Sequence, residues 1–123
     1  MQELSPSSLV DLLTTYRYSV GSETSFQLGV ERVLAENDVP FIKEHQLGSE
    51  FGRIDFYLPH HKYGIELKVK GSVSEVLRQL HRYAQCPDIA ALILVTARAR
   101  LAFAPMSING RPLLAAAVWE SQL

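Results

Sequence analysis

Residues 52–70 read GRIDFYLPHHKYGIELKVK, and the fold follows from how this stretch divides. Arg53 to Leu58 and Tyr63 to Val69 are strand-like runs, and Pro59-His60-His61-Lys62 between them is turn chemistry. Side chains alternate along a strand. Glu66 and Lys68 therefore share one face, and Ile65, Leu67 and Val69 share the other, which is apolar and belongs in a core. A connection this short makes the two strands antiparallel neighbours, and that places Asp55 beside Glu66.

The flanks extend the pattern in both directions. Upstream, Phe41 to Leu47 is a third strand-like run, joined to Arg53 through a turn at Gly48 to Gly52, so the three form a meander. Before it, Ser22 caps a helix with an inward stripe of Phe26, Val30, Val33 and Leu34, closed by Asn37-Asp38 and Pro40. Ser5-Pro6 starts a first helix in which Leu9, Leu12, Leu13 and Tyr16 share a face. Downstream, Gly71 stops the strand, and Ser72 with Glu75 forms a capping box for a helix whose stripe is Val73, Val76, Leu77, Leu80 and Ala84. Ala90 to Thr96 is too continuously apolar for an edge strand. A helix between it and Val69 makes a crossover, so those two strands should be parallel. Residues 97–112 give no clear element, and Leu113 to Trp119 reads as a last strand. The expected fold is α/β, a three-layer α/β/α sandwich with a central mixed sheet, in one domain spanning 1–123.

Two carboxylates side by side are costly unless a cation lies between them. Mg2+ suits Asp55 and Glu66, because it takes oxygen ligands from one or two carboxylates plus substrate phosphate and keeps several waters. The backbone carbonyl of Leu67 can add a further oxygen. Lys68, on the Glu66 face, can orient or deprotonate an attacking water and offset charge building on phosphorus. The same spacing also describes an ordinary amphipathic strand with a solvent-facing Asp and a Glu/Lys pair.

Taken together, Asp55, Glu66-Leu67-Lys68 and the order helix, three-stranded meander, helix, strand resemble the PD-(D/E)XK nuclease superfamily, the restriction-endonuclease-like fold, over roughly Ser22 to Thr96. Ile54 stands where that family's first motif often has proline. The resemblance implies a Mg2+-dependent DNA endonuclease, with Mn2+ as a substitute, and is nearest to small phage or prophage nucleases and Holliday-junction resolvases. It further implies a helix glutamate at the metal. Glu23 is the choice, and Glu31, about 80° around the helix, is the rival. It also places Gln79 at the site and makes Arg78, Arg82 and Tyr83 candidates for contact with DNA. Lys70 is either a further phosphate contact, from the strand face it shares with Lys68, or a solvated lysine. With no added recognition domain, strong sequence specificity is not expected, structure-selective cutting is, and a homodimer or larger complex fits. The alternatives are a non-cutting nucleic-acid-binding module and a structural subunit, the latter marked by an exposed apolar patch at Leu101 to Met106.

Composition bounds these readings. The net charge of −1 selects no partner, but its distribution is uneven. Residues 1–52 carry Arg17, Arg32 and Lys43 against eight acidic residues, whereas residues 53–111 carry nine basic residues against Asp55, Glu66, Glu75 and Asp88. A basic face formed from the second set would suit a polyanion. No apolar run is long enough for a membrane span, no signal peptide is evident, and the single cysteine, Cys86, permits no intrachain disulfide. The expected compartment is the reducing cytoplasm. His60 and His61 sit in a turn without partner ligands for zinc, His81 lies on the polar side of its helix, and Trp119 is read as core or as an oligomer contact.

Overall fold

The computed structural model describes residues 3–121. Helix α1 (Pro6–Thr14) starts where the Ser5 hydroxyl accepts the Ser8 N–H, with proline in the first turn. A two-residue strand, β1 (Arg17–Tyr18), precedes α2 (Glu23–Glu36), whose cap is a reciprocal box between Ser22 and Ser25. The meander follows as β2 (Ile42–Gln46), β3 (Arg53–Leu58) and β4 (Tyr63–Lys68). Helix α3 (Val73–Ala84) carries the Ser72/Glu75 capping box, and β5 (Ala91–Thr96) is buried throughout. After a 3-10 turn at Ala99–Leu101 come β6 (Met106–Ile108), β7 (Arg111–Ala117) and β8 (Trp119–Glu120).

Six strands form a mixed sheet in the order β2-β3-β4-β5-β7-β6. The meander is antiparallel, β5 lies parallel between β4 and β7, and β6 turns back antiparallel on β7. Helices cover both faces. Leu9 and Leu13 of α1 and Phe26 and Val30 of α2 pack with Phe56, Ile65 and Leu67. Val76 and Leu80 of α3 pack with Ile54, Leu92 and Leu94 on the other side. The protein is thus a mixed α/β fold in which each sheet face has its own apolar core.

Helix α3 covers the Glu66 side of β4 and leaves Glu66 only 4 % exposed, which does not suit the alternative of an ordinary solvent-facing Glu/Lys pair. One expectation is corrected. Trp119 is no core residue, being 68 % exposed in β8, beyond the end of β7. Of the stretch expected to mark a structural subunit, Leu101 is fully buried, whereas Ala102 and Phe103 are half-buried and Ala104, Pro105 and Met106 are exposed. The unread stretch before β7 holds a hairpin turned by Asn109 and Gly110, at φ 48° and 78°, the left-handed pair a two-residue turn requires. Among the described residues, no helix is long and apolar enough to cross a membrane.

Candidate active site

The regular pairing of β3 with β4 runs Leu58↔Tyr63, Tyr57↔Gly64, Phe56↔Ile65. One step further on lie Asp55 and Glu66, and there side chains take over the bonding. The Asp55 N–H donates to Glu66 Oε1 at 3.2 Å, and the Leu67 N–H donates to Asp55 Oδ2 at 2.8 Å. Each carboxylate therefore satisfies a backbone donor on the opposite strand where the strands part. The cause is a local break in alternation. Ile54 and Tyr57 both pack in the α3-side core, although they are three residues apart, while Phe56 and Leu58 pack on the other side. Asp55 occupies the odd position between them. On β2, the residue facing this break is Glu44, in left-handed conformation at φ 48° between the Lys43↔Phe56 and His45↔Ile54 pairs.

Burial makes this arrangement electrostatically strained. Desolvation first, and the neighbouring Asp55 carboxylate second, push the Glu66 carboxyl up to about 8. Asp55 is also raised, chiefly by burial, against the lowering influence of the Leu67 N–H and of Lys68. Lys68 Nζ lies 3.6 Å from Glu66 Oε2. From beneath, the Tyr83 hydroxyl donates to the Arg53 carbonyl at 2.8 Å, stands 3.4 Å from Glu66 Oε2 and accepts from Gln79 Nε2 at 2.9 Å. Gln79 and Tyr83 thus support Glu66 through one hydroxyl. Tyr83 is 1 % exposed, which does not suit the surface role in DNA contact expected of it.

The two helix acids separate cleanly. Glu23 lines a hollow with Asp55, Gln27, Arg53 and Leu67, and its charge contributes to the raised Asp55 carboxyl. Glu31 instead binds Lys43 Nζ at 3.0 Å. Glu23 and Leu67 also line a second hollow together with Lys68, Lys70 and Arg98, so the cleft continues past the acids onto a basic wall. Arg78 is exposed on α3. Arg82 is engaged elsewhere, its Nε donating to the Phe51 carbonyl in the β2–β3 turn at 3.3 Å.

The residue missed in the sequence is Arg98. Lys68 pairs with Thr96 across the parallel strands β4 and β5, so a residue two past Thr96 lies alongside Lys70, two past Lys68. The expected crossover already contained that signal, since ligand-facing residues of parallel sheets gather beyond the strands' C-terminal ends.

The donor set is all oxygen. Among the described residues no three His, Cys, Asp or Glu side chains gather as a metal cluster; Asp55 and Glu66 are the paired carboxylates, and Glu23 and Glu44 line the hollow beside Asp55. An extended residue points its N–H and C=O to the same edge, so the Leu67 carbonyl faces the side on which its N–H meets Asp55. Two carboxylates and a carbonyl fit Mg2+ or Mn2+, whose remaining positions are taken by water and phosphate. The chain matches no family model, no curated protein and no solved structure.

Proposed function

We propose that this protein is a Mg2+-dependent DNA endonuclease of the restriction-endonuclease-like fold, with Asp55, Glu66 and Lys68 at its centre. The observation that carries this reading is the parted strand pair, where two acids bond each other's backbone with a lysine 3.6 Å from one of them. An ordinary solvent-facing Asp and Glu/Lys pair is not 4 % exposed at its glutamate. A buried glutamic acid held to about 8 beside a second acid is the environment a divalent cation stabilises, by taking the place of the retained proton.

When bound, Mg2+ would neutralise phosphate charge and lower the pKa of a coordinated water. The residues that would hold it are Asp55, Glu66 and the Leu67 carbonyl, with Glu23 across the hollow. Lys68 orients the attacking water and offsets the charge that develops as water oxygen bonds to phosphorus and the bond to the departing sugar oxygen breaks. Gln79 and Tyr83 fix the carboxyl of Glu66, and Lys70 and Arg98 hold the flanking phosphates. The test is incubation of the purified protein with supercoiled, linear, single-stranded and branched DNA in Mg2+, Mn2+ or chelator, beside Asp55→Asn and Lys68→Ala. Wild type should cut only with metal, and both variants should lose at least about a hundredfold in rate. Full activity in either variant would remove it from the site.

A further inference from the structure

The parallel strands β4, β5 and β7 end in register, Lys68 with Thr96 and Thr96 with Ala117. Two residues beyond these three positions come Lys70, Arg98 and Trp119. Adjacent strands lie about 4.8 Å apart, so the three residues form a short row beyond the C-terminal ends of these strands. Lys70 and Arg98 share the hollow that continues from Asp55's cleft, and Arg98 and Trp119 share the next one.

Trp119 is the most exposed large apolar side chain described, at 68 %, yet its backbone is pinned on two sides. The Val118 N–H donates to the Thr96 carbonyl at 2.9 Å, the Ser121 N–H donates to the Tyr18 carbonyl at 2.7 Å, and Trp119 itself pairs with Arg17 across β1 and β8. Arg98 is likewise anchored, its Nε donating to the Val69 carbonyl. A flat aromatic ring, fixed at its root and open at its face, sits at the end of a row of cations. Glu120 lines the same hollow and repels phosphate, so the ring's neighbourhood favours the uncharged part of a nucleotide.

We infer that Trp119 is a stacking platform for an unpaired nucleobase, so that the substrate class of this site is DNA with a single-stranded segment beside the cut. Bases stack on aromatic side chains regardless of sequence, whereas bases inside a duplex are already stacked on each other. This rests on the nuclease reading for the identity of the polymer and goes beyond it in naming the polymer's state.

The chain has one tryptophan, so its intrinsic fluorescence reports this residue alone. In chelator, where nothing is cut, oligothymidylate should quench that emission and a duplex of equal length should not. By anisotropy of labelled DNA, Trp119→Ala should lower single-strand affinity by about 5- to 150-fold, the range for loss of one stacked base, and leave duplex affinity unchanged. Trp119→Phe should keep most of the single-strand affinity. Single strand bound without quenching, and equally well by Trp119→Ala, overturns the inference, as does failure to bind either DNA. So does a shift of Trp119→Ala from dimer to monomer in sedimentation with DNA affinity intact, which assigns the ring to a contact between copies. Because binding is read without metal, the two ideas fail separately. Quenching without cleavage in Mg2+ overturns only the nuclease, and cleavage without quenching overturns only the platform.

Discussion

Glu66 keeps its proton to about 8 because it is buried and faces a second carboxyl. The folded chain therefore holds a proton that the unfolded chain releases near the ordinary carboxyl value of 4.5. This group's stabilising contribution is full below that lower value and is lost as pH rises through about 8, at up to about 1.4 kcal/mol per pH unit between the two. Without metal, the melting temperature should fall between pH 5 and 8. Glu66→Gln should flatten that fall, and saturating Mg2+ should reverse it, as read by thermal melts across pH. Tyr83→Phe removes the hydroxyl that bonds the Arg53 carbonyl and supports Glu66. It should cost about 1–3 kcal/mol in urea unfolding, the range for a buried group left without its partner. It should also move the metal-free Glu66 titration upward, because the lost bond lowered that pKa. At this scale the sequence was legible in part. Alternation along β4 put Glu66 and Lys68 together, and chain order put Asp55 opposite. The break between Ile54 and Phe56 that turns Asp55 was not legible, because it depends on the left-handed backbone of Glu44 on another strand.

Helices were read closely because their ends carry side-chain chemistry. Ser5-Pro6, Ser22 and the Ser72/Glu75 box start α1, α2 and α3 as expected. The strands with a clear apolar period or run were read as well. The two-residue strands β1 and β8 were not, since two residues hold no period, and the β6–β7 hairpin went unread although Asn109-Gly110 announces it. Glycine 64 carries an element-scale prediction. It faces Tyr57 in the β3–β4 ladder, and a Cβ there would stand 2.5 Å from Ile54 Cδ1 and 3.0 Å from Leu92 Cδ2. Gly64→Ala should therefore cost about 1–3 kcal/mol, the usual range for overpacking a core, checked by chemical unfolding. Helix α2 gives a matched pair. Glu23→Gln should weaken Mg2+ binding in calorimetry, because Glu23 shares the hollow of Asp55. Glu31→Gln breaks only the pair with Lys43, and should leave metal binding unchanged at a stability cost of about 1 kcal/mol or less.

Across the whole molecule, four arginines of the basic second half brace backbone carbonyls, Arg98 among them through Val69. Arg82 and Arg100 are tied to the carbonyls of Phe51 and Gly71, and Arg111 to that of Ile89. Lys68, Lys70 and Arg98 line the cleft. Duplex affinity should fall with salt by a log-log slope of about −0.9 per phosphate contact. Lys70→Ala should flatten that slope by about one unit, whereas Arg82→Ala should leave it alone and lower the melting temperature, as DNA titrations at several salt concentrations beside a melt will show. The mutual bonding of Asp55 and Glu66 to each other's strands has a consequence for how such a chain can change over generations. The two acids are also the stitches that close the sheet where its backbone ladder stops. Replacing either one with a residue that has no side-chain oxygen leaves a strand N–H without its partner, whereas Asn or Gln can keep the bond while giving up the charge. A chain of this kind can therefore shed the negative charge at either position, one step at a time, without opening the seam.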